Sequence, residues 1–168
     1  MKKFYFLQFL LSIFFIQAQE NYVQIFGSTN VNQFKCINNS FKFLASNMSL
    51  DNSNLPTISL KVAEFDCRNS IMTNDFKKTL SAEKFPLMNI KFLSLTKTQN
   101  NYIALIEVKI MNQSRKYNIE FDLQNNNRLI GKERVKFSDF NITPPKRMGG
   151  MIVVKDDLDL TFSLAAKN

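Results

Sequence analysis

The chain has no histidine and no tryptophan among its 168 residues. Without imidazole, Ser-His-Asp and Cys-His nucleophilic sites, HExxH zinc sites and histidine general bases are all excluded. Glycine and proline number four each, too few for collagen-like or low-complexity chains. The one Gly-Gly pair, Gly149-Gly150, is too short to cradle a phosphate. Two cysteines with no histidine would leave a zinc coordination sphere half empty, so no metal site is expected. No apolar run reaches the roughly 20 residues that a spanning helix needs.

What is present is a globular composition. Hydrophobic residues make up 45% and charged residues 21%, and 17 phenylalanines dominate the aromatics. The length fits one domain. The first residues, MKKFYFLQFLLSIFFIQAQE, place Lys2 and Lys3 before a mostly apolar run at 4–16 and a small residue, Ala18. That pattern is expected of a cleaved secretory signal peptide over residues 1–18, leaving a domain at 19–168. The expected compartment is periplasmic or extracellular. Loss of Lys2 and Lys3 lowers the formal charge from +8 to +6. The remaining charge is scattered over Lys77-Lys78, Lys132/Arg134/Lys136 and Lys146-Arg147. It reads as a solvated surface, with anionic surfaces as the alternative and no nucleic-acid partner. In an oxidising compartment the pair Cys36 and Cys67 is expected to form one disulfide, with two buried free thiols as the alternative.

Alternation of period two recurs along the chain and predicts strands. Ile58, Leu60 and Val62 share one face, as do Tyr102, Ala104, Ile106, Val108 and Ile110. Tyr117, Ile119, Phe121 and Leu123 form a third apolar face; Ile152 and Val154, then Leu158, Leu160, Phe162 and Leu164, form a fourth. Weaker strands are expected near 22–26, 31–37, 40–46, 88–95 and 128–137. Asn38-Asn39 suggests a hairpin turn, as do Asn100-Asn101 and the Asn run at 125–127. One segment differs. Met72, Phe76 and Leu80 fall four apart on one helical face, with Ser70 or Thr73 as cap and Pro86 as stop. The result is an all-β domain with one short helix, serving as a lid or plug. Periodicity alone fits a closed barrel and a two-sheet sandwich equally.

Three blocks of sequence carry a resemblance. The first is Phe65-Asp66-Cys67-Arg68-Asn69-Ser70-Ile71-Met72-Thr73-Asn74-Asp75-Phe76, followed by Leu80 and Lys84-Phe85-Pro86-Leu87-Met88. The second is Asp139-Phe140-Asn141-Ile142-Thr143-Pro144-Pro145 with Gly150-Met151-Ile152-Val153-Val154-Lys155-Asp156-Asp157-Leu158. The third, weaker, is Gly27-Ser28-Thr29-Asn30-Val31-Asn32-Gln33-Phe34. In this order they resemble the YceI-like family, with Phe85 where that family often has Tyr. The Asn richness, the cleavage context and the cysteine pair are similar to its Bacteroidetes-type branch. The resemblance implies an eight-stranded antiparallel lipocalin-like β-barrel with a helix near one mouth. It also implies an interior that holds a long apolar chain, such as an isoprenoid or quinone-like lipid.

The apolar faces then supply candidate ligand-lining residues: Tyr102, Ile106, Val108, Tyr117, Ile119, Phe121, Phe162 and Leu164. Met72, Phe76 and Leu80 are placed at the mouth, where flexible Met adapts to varied ligands. The same side chains can instead fill the barrel solid. No cofactor and no catalytic residue is expected; Asp157 and Asp159 share a strand face and read as solvated carboxylates. Three functions compete: a lipid carrier, a filled structural or interaction module, and, last, an enzyme. A homodimer stays open, with no interface signature to favour it.

Overall fold

The computed structural model describes residues 20–167. The expected signal peptide at 1–18 lies outside the described residues. Among the described residues nine strands and one α-helix follow one another. β1 is Tyr22–Thr29, β2 Gln33–Asn38, β3 Thr57–Lys61, α1 Ser70–Thr79 and β4 Leu87–Lys97. β5 is Tyr102–Ile110, β6 Gln113–Gln124, β7 Arg128–Lys136, β8 Lys146–Arg147 and β9 Ile152–Ala165. One antiparallel sheet runs in the order β2-β1-β9-β7-β6-β5-β4-β3, and the two-residue β8 pairs with β9.

The sheet curls into a lipocalin-like barrel whose two edges, β2 and β3, meet at a seam. No ladder joins them. Ile37 and Asp66 exchange two backbone hydrogen bonds of 2.9 Å just beyond the end of β3. The Asn38 side-chain amide donates to the Lys61 carbonyl at 3.0 Å. The Cys36–Cys67 disulfide lies beside this bridge. The seam thus closes by a covalent staple and three hydrogen bonds, which leaves little edge open for pairing with another chain.

Alternation places one apolar face inside. Val23, Ile25, Ile58, Leu60, Ala104, Ile106, Val108, Ile119, Phe121, Phe162 and Leu164 are all buried. A bulge at Leu93, between Phe92 and Ser94, resets the phase of β4 so that both Phe92 and Leu95 face the core. Rings stack across the interior: Phe92, Phe121 and Phe162 have centroid spacings of 5.8 and 5.9 Å. Gly131 pairs with Phe121 on one side and Phe162 on the other. A Cβ there would lie 2.5 Å from the Phe121 ring, so only glycine leaves room for both rings.

Three expectations need correction. No strand forms at 40–46, and Asn38-Asn39 makes no hairpin. Asn side chains in and facing this segment bind backbone groups instead. Asn21 donates to the Phe43 carbonyl at 2.9 Å, Asn47 accepts from the Leu44 amide at 2.6 Å, and Asn54 donates to the Ser46 carbonyl at 2.9 Å. These bonds replace ladder partners and let 39–56 cross one end of the barrel, where Met48 bonds Lys167 and Asn52 bonds Leu95. The helix cap is Asn69, whose side chain accepts from Met72 N–H at 3.0 Å, rather than Ser70 or Thr73. Thr73 Oγ1 accepts from the Cys67 amide at 3.0 Å, tying the start of α1 to the disulfide.

A candidate ligand cavity at the barrel mouth

The end of the barrel opposite the 39–56 crossing is open. Here β1 ends, β2 and β9 begin, and α1 lies across the gap. Leu80 and Phe76 anchor α1 in the core; Phe76 stacks on Phe65 with centroids 5.1 Å apart. Between α1 and the strand ends is a cavity of 520 Å³, within the range of small-molecule sites. Phe34, Ile71, Met72, Phe76, Phe137, Pro145, Met148, Ile152 and Val154 form its apolar wall. Thr29, Asn32, Asn69, Asp75, Thr79 and Arg147 complete the lining.

Each of those polar side chains already has a partner inside the protein. Thr29 Oγ1 donates to Asn32 Oδ1 at 2.8 Å. Asn69 caps α1, Thr79 Oγ1 donates to the Asp75 carbonyl at 2.8 Å, and Arg147 is paired with the Asp75 carboxylate. What faces the cavity is therefore mainly hydrocarbon and aromatic surface. The Arg147–Asp75 pair also tethers β8 to α1 across the mouth.

Phe76 and Phe137 form the floor. They line both this cavity and an apolar void of 20 Å³ beneath it. That void also touches Leu80, Met88, Val108, Leu158 and Leu160. With no polar wall it is a dry gap. Below it Phe92, Phe121 and Phe162 pack ring against ring; a second space of 520 Å³, with a more polar lining, lies at the 39–56 crossing against Phe41, Phe43, Asn54 and Pro56.

The residues expected from the apolar faces divide by depth. Met72 and Phe76 line the mouth cavity. Leu80 and Val108 border the small void beneath the floor. Tyr102, Ile106, Ile119, Phe121, Phe162 and Leu164 are buried in the filled interior and touch neither space. Tyr117 is half-buried where the β6–β7 ladder stops, at Phe121–Gly131. Its hydroxyl donates to Asp139 at 3.1 Å. Burial, then the bond to Asp139, holds that hydroxyl well above the usual tyrosine range. Glu133 shares the inward face of β7 with Gly131 and Val135, and burial raises its carboxyl. Asp159 sits between Lys132 at 3.1 Å and Arg134 at 3.0 Å; the Arg134 bond first, then Lys132, lowers its carboxyl. Among the described residues no group of three His, Cys, Asp or Glu could hold a metal ion.

Phe34, Phe137, Ile152, Val154 and Met148 were not expected in the site. Period-two alternation marks the inward face of a strand and carries no information on depth along the barrel axis. Two of the sequence blocks, around Phe34 and at 139–158, did contain or flank these residues.

Against known proteins, a family model described as a YceI-like domain matches residues 16–166. The chain belongs to the YceI-like family. Solved structures agree in fold. BcnA of Burkholderia cenocepacia superposes with a TM-score of 0.68 at 17% identity, covering 88% of this chain and 96% of its own. A polyisoprenoid-binding domain from Saccharophagus degradans, implicated in plant cell wall breakdown, gives 0.60 at 6% identity, covering 85% and 91%. A Campylobacter jejuni YceI protein gives 0.57 at 14%, covering 84% of each chain. No curated protein sequence matches. At these identities the likeness is one of fold. No helix of this YceI-like chain, among the described residues, is long and apolar enough to cross a membrane.

Proposed function

We propose that this YceI-like chain is a non-catalytic, periplasmic or secreted carrier that binds the apolar tail of an amphiphilic lipid in the mouth cavity. The observation that carries the reading is the cavity wall: 520 Å³ of space whose polar side chains are all bonded to other groups of the protein. Such a wall offers dispersion and burial, and about 0.8 kcal/mol per buried CH₂ favours a chain over a polar solute. The Saccharophagus relative is a polyisoprenoid-binding domain, which supports an isoprenoid or quinone-like tail. The buried disulfide suits an oxidising compartment, in keeping with the reading of residues 1–18 as a cleaved leader.

The filled interior favours a second reading, a protein-interaction module with no ligand. One experiment separates the two. The protein is purified from its native compartment, its organic extract is analysed by mass spectrometry, and the stripped protein is titrated with the apolar fluorophore N-phenylnaphthylamine. Bound lipid in the extract and saturable fluorophore uptake, weakened by Met72→Asp, are expected of the carrier. An extract free of lipid together with no uptake would leave the interaction module.

A further inference from the structure

Seven large hydrophobic side chains are exposed among the described residues, and four of them surround the cavity mouth. Ile71 is 68% exposed, Met148 65%, Met151 65% and Val31 64%. They come from three separate segments: α1, the turn before β9, and the β1–β2 turn. Hydrogen bonds join the two turns, and the Arg147–Asp75 ion pair ties them to α1. The Asn30 side-chain amide donates to the Met151 carbonyl at 2.8 Å, and its oxygen accepts from the Val153 amide at 2.9 Å. The Met151 amide donates to the Met148 carbonyl at 3.3 Å. Ile71 and Met148 line the cavity itself. The apolar rim is therefore continuous with the cavity wall and built on a bonded frame. An exposed apolar group of this kind, in one place, marks an interaction surface.

Cations flank the rim. Lys146 is exposed two residues before Met148, and Arg68 is exposed next to the cavity residue Asn69. Neither is in an ion pair among the described residues; of the carboxylates close by, Asp75 is neutralised by Arg147 and Asp66 accepts from the Arg68 backbone amide at 2.8 Å. Apolar side chains ringed by unpaired cations complement an anionic bilayer: the former enter the headgroup layer and the latter pair with lipid charge.

We infer that the mouth of the barrel docks on the surface of an anionic phospholipid bilayer through Val31, Ile71, Met148 and Met151, with Lys146 and Arg68 pairing to headgroups. The cavity then faces the lipid, and a tail moves between bilayer and protein without crossing water. The inference rests on the reading of the cavity as a lipid site for its purpose, and the docking is measured separately from uptake.

The test is co-sedimentation of the full chain with vesicles of phosphatidylethanolamine and phosphatidylglycerol, against vesicles of phosphatidylcholine alone. Binding to the anionic vesicles is expected, reduced by about five-fold for each of Lys146→Gln and Arg68→Gln. Val31→Asp with Met151→Asp, both outside the cavity wall, should reduce it at least about ten-fold, since each puts a charge into the headgroup boundary. The same double variant should take up N-phenylnaphthylamine, without vesicles, as the parent does. No sedimentation with anionic vesicles, or equal sedimentation after the double substitution, would overturn the inference. So would a change of oligomeric mass on the double substitution in the absence of lipid, which would assign the rim to a second copy of the chain. Vesicle binding with no fluorophore uptake would uphold the docking surface and overturn the carrier reading instead.

Discussion

The seam between β2 and β3 sets a measurable test of how this barrel is closed. Every other neighbouring pair in the β2-to-β3 order carries a ladder of four or more residue pairs, while the seam has one backbone bridge and one side-chain bond. Cys36 and Cys67 are 31 residues apart. Loop-closure entropy for a loop of that length gives about 4 kcal/mol of stabilisation by the cross-link. For a domain of this size each kcal/mol moves Tm by about 2–4 °C, so breaking the bond should lower Tm by about 8–15 °C. Two samples separate cross-link from volume: the parent held reduced, which keeps both sulfurs, and Cys36→Ala/Cys67→Ala, which removes them. Thermal unfolding followed by circular dichroism is the first assay. Hydrogen exchange is the second, because the Ile37 and Asp66 amides should lose protection before those of β5 and β6. A fall in Tm of less than about 3 °C in the reduced parent, with Ile37 and Asp66 still protected, would refute the argument. The hydrogen bonds and the buried core would then close the barrel unaided.

Further predictions address the interior and the site. Gly131→Ala should cost about 1–3 kcal/mol in urea unfolding, because its Cβ meets the Phe121 ring; adding Phe121→Leu should recover part of that loss. Phe137→Ala should cost about 3–5 kcal/mol and join the mouth cavity to the void beneath. In a series of n-alkanols competing with N-phenylnaphthylamine, affinity should then keep rising with chain length past the point where the parent levels off. Glu133→Gln should stabilise the protein at pH 7. Burial raises the folded-state pKa of Glu133, so its ionised form is penalised above that pKa, and the penalty is gone below the unfolded value of about 4.3. Urea midpoints should therefore differ between variant and parent at pH 7 and converge near pH 4. Asn69→Ala should cost about 1 kcal/mol through the lost cap on Met72 N–H.

Local chemistry was legible in the sequence by itself. Alternation is a property of the pleat, so the inward faces of β5, β6 and β9 followed from Tyr102 to Ile110, Tyr117 to Leu123 and Leu158 to Leu164 without any coordinates. The four-residue spacing of Met72, Phe76 and Leu80 likewise identified α1; the cysteine count favoured a disulfide over two free thiols, and the structure has Cys36 bonded to Cys67. Three matters were decided only by tertiary structure. Closure depended on where the ends of β2 and β3 meet, a distance no periodicity encodes. Asn-rich 39–56 crossed the barrel end because its side chains found backbone partners far away in sequence, such as Leu95 for Asn52. Above all, hollowness was decided in three dimensions. Phe121 and Phe162 obey the same alternation as a cavity wall would, but opposite Gly131 they meet ring to ring and fill the barrel. The apolar space lies at the mouth, among strand ends and turns, where Phe34 and Phe137 keep the inward phase of β2 and β7 but sit at the strand ends, and Met148 belongs to a turn.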